Sequence, residues 1–234
     1  MRIGFVSTRF HGTDGVSLEA SKWANVLEKE LNHECFWFAG KLDTPESSSS
    51  LCSKAFFEHP SVISLQEKLF SDLNSSSKDI HNSVNVLEAE LYNALDNFVR
   101  EYSIDIVIPQ NVLAIPMHVP MGLAVTELAS KGLPMIAHHH DFYWERERFL
   151  KGCAQHYLDS SFPPKITEKF QHVVINSRAK ESLMQRLGLE STVVPNVFDF
   201  ENPPSNSDDY GDDFRDQFKI ESDEILFLQP TRIV

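Results

Sequence analysis

Residues 136–149, IAHHHDFYWERERF, end an apolar run in three consecutive histidines and an aspartate, then continue in aromatic and charged residues. Side chains alternate along an extended chain, so His138 and His140 face one way and His139 the other. An imidazole at a strand tip can hydrogen-bond a substrate hydroxyl, and an adjacent carboxylate can orient it or accept a hydrogen bond. His140 with Asp141 is therefore the first candidate pair for chemistry, while His138, deeper in the apolar run, reads as a satisfied core residue. Zinc on all three histidines would need a sharp backbone bend, and neither a nearby cysteine nor an HExxH spacing supports it, so no metal and no cofactor are expected. Arg146 and Phe149 share a face if the segment is helical, apart from Arg148, which lets Arg146 project toward a cleft. Each of these charges, taken alone, also reads as solvated surface. Glu145 and Glu147 offer carboxylates, but their separation is not defined by the sequence and gives no glycosidase pair.

A second candidate loop, STRFHGTDG, follows the first apolar run. Gly12 and Gly15 let the backbone turn sharply or approach a ligand, and the helix N-terminus behind them, with Val16 in its first turn, can stabilise an anion. Arg9 and His11 could hold a phosphate or a sugar hydroxyl between them. The spacing is neither GxGxxG nor GxxxxGKS, so it is no dinucleotide or P-loop signature, and the glycines also read simply as turn residues. Asn176 and Ser177 close one strand and open a helix, with Ser177 the expected N-cap. Arg178 in that first turn gains nothing from the helix dipole, which leaves surface solvation or an anion as its role. Asn196 of PNVFD can hydrogen-bond backbone across a turn that ends the domain.

These loops need a frame. Residues 3–6 read as a strand, and Ala20, Trp23, Ala24, Leu27 and Leu31 recur at helical spacing behind an opening near residues 14–17. Residues 35–40 read as the next strand, which completes a parallel βαβ unit. The serine-rich stretch 41–80 reads as an irregular insertion with a short strand or helix near 56–70. Val84, Leu87, Leu91, Leu95 and Phe98 form one helical stripe, IDIVIPQN a buried strand at 104–109, MGLAVTELASKG a helix stopped by Gly132, and LPMIAHHH the strand after it. The alternation repeats through VVIN, the helix 177–187 and VVPN. The fold class expected is α/β, a Rossmann-like open parallel sheet with helices on both faces. The expected domains are 1–200, an acidic, proline-containing linker at 201–222, and the first strand, 223–234, of a second domain otherwise absent.

Composition excludes several classes. The 234 residues are 41% hydrophobic, as in an ordinary globular chain, so wholesale disorder is not expected. A formal charge of -13, from 34 acidic against 21 basic residues, opposes nonspecific attraction to nucleic acid or an anionic membrane. Cys35, Cys52 and Cys153 are isolated and odd in number, which argues against a disulfide framework and fits a reducing compartment, so a cytoplasmic protein is expected. The start, MRIGFVSTRF, reads as a strand rather than a signal peptide, and no apolar run is long enough to span a bilayer.

The starts and ends of these elements, RIGFVSTRFHGTDGVSLEASKWANVLEKEL, PMIAHHHDF, VVINSRAKESL, VVPNVFDF and FLQPTRIV, taken in order, resemble the N-terminal half of retaining nucleotide-sugar glycosyltransferases of the GT-B fold, family 4. The resemblance implies transfer of a hexosyl group from a nucleotide-diphosphate sugar to a hydroxyl of a carbohydrate or small-molecule acceptor. It implies that Gly12, Gly15 and Val16 lie against donor or acceptor, that His140 of the His140–Asp141 pair contacts the donor sugar, and that Asn196, with Asp199, sits near an interdomain hinge. Arg232 matches the family's diphosphate-binding arginine; the lysine and paired glutamates that follow it in the family would lie beyond Val234, so this chain alone is expected to be inactive. GTDG stands where many members have a tighter GG pair, which leaves the donor contacts of that loop open. Two other readings share these features: a noncatalytic sugar- or phosphate-binding module, and a GT-B-like epimerase or phosphorylase.

Overall fold

The computed structural model describes residues 1–71, 78–198, 200 and 213–227, in two compact units, Met1–Asn196 and Val197–Val234. In the first unit, seven strands among the described residues form one parallel sheet in the order β3-β2-β1-β4-β5-β6-β7. They are β1 (Arg2–Val6), β2 (Glu34–Ala39), β3 (Ser49–Leu51), β4 (Ile106–Pro109), β5 (Met135–His139), β6 (Phe170–Val174) and β7 (Ser191–Val193). Between them run α1 (Gly15–Lys29), α2 (Pro60–Phe70), α3 (Lys78–Glu101), α4 (Val119–Ser130), α5 (Gln155–Ser161) and α6 (Ser177–Leu187). The expected α/β class, with helices on both faces, is the one observed.

Alternation along the strands builds the two faces. Ile3 and Phe5 of β1, with Cys35 and Trp37 of β2, pack against Ala20 and Ala24 of α1. Val6, Phe36, Phe38 and Val107 turn the other way, toward α3 and α4. The stripe read from the sequence on α3 is the buried one, extended by Ile80, so Ile80, Val84, Leu87, Leu91, Leu95 and Phe98 all face inward. Each such side chain, fully buried, contributes about 1.5–3 kcal/mol, and the 24-residue helix has polar residues elsewhere to keep its outer face wet. Gly122 on α4 sits where a Cβ would come within 2.2 Å of the Phe162 ring, so the helix packs there only with glycine.

Three local readings change. The serine-rich stretch supplies β3, which pairs with β2 through Trp37–Ser49 and Ala39–Leu51, so it extends the sheet edge instead of only interrupting it. Serine carries little β preference, and the partner strand, rather than local propensity, selects the extended conformation. Residues 143–149 make two separate 3-10 turns, not one helix. In the second unit, α7 (Phe214–Gln217) interrupts the expected linker, and residues 223–227 form no strand. Arg232, Asp199, residues 201–212 and the remainder of the expected 223–234 strand lie outside the described residues.

Candidate functional site

The chain runs from β1 outward to β2 and β3, then returns to the other side of β1 with β4, so the order reverses between β1 and β4. In open parallel sheets a crevice forms there, beyond the carboxyl ends of the strands. The loops after β1, β4 and β5 all open at that end. β5 holds His138 and His139, and His140 follows immediately at its carboxyl end.

The faces divide as alternation requires. His138 stacks on Trp23 of α1 at 4.4 Å between ring centres and lies 4.5 Å from the His140 ring. His139 points to the opposite face, where its Nε2 and Nδ1 of His172 on β6 are 2.9 Å apart and Phe142 packs alongside. His138 and His139 are buried, whereas His140 is half-buried at the crevice.

Gln110 and Asn111, immediately after β4, hold this tip. Gln110 Oε1 lies 3.1 Å from His138 Nδ1 and 3.2 Å from His140 Nε2. With the Gln110 amide placed so that its oxygen faces both rings and its Nε2 is buried and unpaired, both rings donate to that oxygen and a neutral His140 keeps its lone pair on Nδ1. Burial lowers the pKa of His138 to about 3 and lowers that of His140 as well, the latter against the opposing pull of Glu19, Asp141 and Asp14. Asn111 Oδ1 accepts the His140 backbone N–H at 3.0 Å, and its Nδ2 donates to Asp141 Oδ1 at 2.9 Å. Asn111 adopts φ +60°, a left-handed conformation that asparagine tolerates better than most residues. Neither residue had been singled out from the sequence, although a polar pair closing a buried strand at the functional end was a visible signal.

Asp141 is also ion-paired with exposed Arg146. The first loop is more self-contained than its residue types imply. Arg9 Nε is 3.5 Å from Asp14 Oδ2 and its guanidinium lies over the Phe57 ring. Asp14 caps α1, accepting from the backbone N–H groups of Val16 and Ser17 at 3.2 and 3.4 Å. That carboxylate occupies the place an anion would take at this helix end. Ser17 Oγ accepts the His11 N–H, and Asp43 accepts the Gly12 N–H at 2.7 Å. Gly12 has φ +72°, and nothing lies within 4 Å of a Cβ placed at Gly12 or Gly15. Behind the loop, Glu19 is 3% exposed and its carboxylate lies 2.5 Å from Lys22 Nζ. This buried carboxylate, beside Ala20 and Ala24 on the buried side of α1, was also missed from the sequence.

At the end of β6 the cap is Asn176, not Ser177: Asn176 Oδ1 accepts the Ala179 N–H at 2.8 Å, and Ser177 is the first helical residue. Asparagine fits because its extended backbone (φ -158°) and short amide reach back over the first turn. Between this end and the β5 tip lies a cavity of about 450 Å³ lined by His140, Glu145, Asn176, Arg178, Ala179 and Ser182. Asn196 is exposed at the end of the first unit. A larger groove between α2 and α3, about 490 Å³, contains the Lys54 and Glu90 pair and none of the residues of the β5 tip. Among the described residues no group of three or more His, Cys, Asp or Glu is placed to hold a metal ion, and no helix is long and apolar enough to cross a membrane.

No protein-family model matches the chain. Two curated proteins align over all of it: a mannosylglucosylglycerate synthase of Petrotoga mobilis at 35% identity, covering 54% of that protein, and a mannosylglucosylglycerate synthase of Thermotoga maritima at 32% identity, covering 53%. The chain thus spans about half the length of the curated relatives it matches. A solved structure, the lipopolysaccharide outer core galactosyltransferase WaaB in its apo form, superposes with a TM-score of 0.47 at 17% identity, over 85% of this chain and 46% of that one. The chain is thus an α/β domain with the Rossmann-like parallel sheet of a GT-B N-terminal domain, and over its entire length it is related to the mannosylglucosylglycerate synthases.

Proposed function

We propose that this domain is the acceptor side of a retaining glycosyltransferase that moves a hexosyl group from a nucleotide-diphosphate sugar to an acceptor hydroxyl. The donor side belongs, in this reading, to further chain, and the 234 residues alone turn over poorly. Support comes from the alignment with both relatives over the whole chain but only about half of each relative. The relatives are named for mannosylglucosylglycerate, so the donor class carried over is a nucleotide-diphosphate mannose and the acceptor class a glucosylglycerate.

The single observation that carries a site is the arrangement around His140. Gln110 Oε1 accepts from its Nε2–H, Asn111 Oδ1 accepts from its backbone N–H, and the half-buried ring lines the cavity at the start of α6 with Nδ1 as its remaining acceptor. A neutral ring so held accepts a hydrogen bond from a sugar hydroxyl and orients the sugar. In transfer, the C1–O bond to the diphosphate breaks and a C1–O bond to the acceptor forms on the same face, with the acceptor's proton passing to the departing phosphate. Charge grows on the diphosphate, so cationic groups from the donor side stabilise it. The ion pair of Asp141 with Arg146 adjoins the tip. A cytoplasmic setting belongs to the same reading, supported by the free thiols of Cys35, Cys52 and Cys153.

The test is a transfer assay on the longest natural chain containing these residues, beside the 234-residue chain, with product stereochemistry recorded. Acceptor-dependent release of nucleoside diphosphate and a retained anomeric centre are expected from the longer protein. Acceptor-independent conversion of the nucleotide sugar points instead to an epimerase, and equal turnover by both chains ends the acceptor-side reading.

A further inference from the structure

The cavity between the β5 tip and the start of α6 has a hydrogen-bonding inventory that selects its occupant. Arg178 brings a guanidinium from an exposed position on the first turn of α6. Ser182 Oγ accepts the indole N–H of Trp144 at 3.0 Å, so its own proton is left to donate. Asn176 spends its oxygen on the helix cap. His140 presents Nδ1 as an acceptor, because Nε2 donates to Gln110. Glu145 supplies a carboxylate whose pKa is raised, first by burial and then by Asp141, and held back by the Phe142 backbone hydrogen bond and then by Arg146 and Arg178. Asp141 is taken up by Asn111 and Arg146.

One cation, one carboxylate, one hydroxyl donor, the Asn176 amide NH2 and one neutral imidazole remain. Their sum is near zero charge, which suits a ligand bearing a single negative group together with hydroxyls. A phosphate monoester carries about -1.5 to -2 near neutral pH, and would set that larger charge beside Glu145 with only one guanidinium to meet it. An uncharged sugar would leave Arg178 without a use for its fork of donors. We propose that this cavity binds the acid end of a monocarboxylate glycoside acceptor, with the carboxylate on Arg178 and the Ser182 hydroxyl and a sugar hydroxyl on Glu145, while His140 Nδ1 stays with the transferred sugar. This rests on the acceptor-side reading above and names the group by which that side selects its substrate. Arg178 is then a specificity-determining residue: it recognises the acceptor at the end remote from the bond being formed.

The probes are glucosylglycerate, its methyl ester and inorganic phosphate, titrated calorimetrically into the 234-residue chain. Variants Arg178→Ala and Arg178→Lys are titrated alongside, each checked for folding by thermal unfolding. Charge-assisted hydrogen bonds are worth about 1.5–3 kcal/mol, so the acid should bind the parent chain at least about tenfold more tightly than the ester. Arg178→Ala should erase that preference while leaving ester binding in place, and Arg178→Lys should keep part of it, since an ammonium restores the charge without the planar fork. Equal binding of acid and ester by the parent, or a preference that survives Arg178→Ala, overturns the carboxylate assignment and leaves the acceptor-side reading standing. Phosphate that binds more tightly than the acid, and loses this on Arg178→Ala, also overturns it. Failure of both glycosides to bind the folded chain removes the proposal and the acceptor-side reading together.

Discussion

The two faces of β5 carry the same residue type to opposite ends. His138 and His140 lie toward α1, held by one oxygen of Gln110, and the second of them reaches the crevice. His139, between them in sequence, turns to a closed pocket with His172 and Phe142. There, His139 Nδ1 and His172 Nε2 are buried without a hydrogen-bond partner among the described residues. One face therefore brings a half-buried ring, His140, out to the crevice, and the other keeps both of its rings buried. The strand's two-residue period makes this division, so three adjacent and chemically identical side chains do not form one site. Reading them as a unit, for instance as a metal cluster, ignores the backbone that separates them.

The sharpest way to break the comparison is to remove one histidine from each face. In the transferring protein, His140→Ala should lower the maximal rate by roughly 10²-fold, because a contact strengthened in the transition state is lost. Steady-state transfer, with thermal unfolding in parallel, measures it. A folded His140 variant with near-parental turnover would move the functional assignment off this ring altogether.

His139→Ala should act on stability instead. It leaves a cavity beside Phe142 and strips His172 Nδ1 of its hydrogen bond to His139, at a cost of about 2 kcal/mol. Chemical denaturation of the 234-residue chain reads this, and acceptor affinity in the folded variant should be unchanged. A His139 variant that keeps full stability but fails to bind acceptor would reverse the roles of the two faces.

Acid sharpens the comparison further, because burial depresses the folded-state pKa of histidines on both faces. It holds His138 at about 3, His172 at about 4 and His139 well below its usual value. His118, which caps α4, is lowered to about 4 for the same reason. The unfolded chain binds these protons near the ordinary histidine value of about 6.5, so between that pH and the folded values it carries more protons than the native state. Their contribution to stability is complete above about pH 6.5 and is lost as the pH falls toward the folded values, at about 1.4 kcal/mol per pH unit for each histidine. Denaturation midpoints from pH 7 to 4.5 should fall accordingly, and the His139→Ala chain should fall less steeply. A flat profile in the parent would mean these rings are not held neutral in the fold.

Much of this was legible because it depends on period. The α3 stripe, the parallel strands and the division of His138 and His140 from His139 all follow from repeats of 3.6 or 2, which survive any tertiary detail. The features that were not legible depend on partners distant in sequence. Gln110 matters because it meets residues 28 and 30 positions away. β3 exists because β2 offers it a ladder, and Arg9 is drawn to Asp14 and Phe57 rather than left open for an anion. Glu19 sits in a stripe whose spacing marks it only as buried, and burial of a carboxylate beside a lysine takes the packed helix to reveal. Residue type named the chemistry available at each loop; only the packing says which groups are already spent.

The smallest expected effect concerns the frame that both faces share, at the start of α6. Asn176 and Ser177 are adjacent, and both are good capping residues, so the sequence alone favours the serine that immediately precedes the arginine. The geometry separates them: Asn176 has extended backbone and satisfies the Ala179 N–H, while Ser177 already belongs to the helix. Replacing a cap removes the acceptor for an otherwise orphaned amide and costs about 1 kcal/mol. Asn176→Ala should lower stability by that amount, and Asn176→Asp should restore most of it, since a carboxylate accepts the same hydrogen bond and is favoured at a helix N-terminus. Ser177→Ala should change stability by no more than a few tenths of a kcal/mol, because alanine in the first turn has good helix propensity and no cap is lost. Chemical denaturation of the three chains under one buffer condition decides it. If Ser177→Ala costs more than Asn176→Ala, the cap has moved one residue along, the start of α6 is rotated relative to the β5 tip, and the placement of Arg178 beside His140 must be redrawn with it.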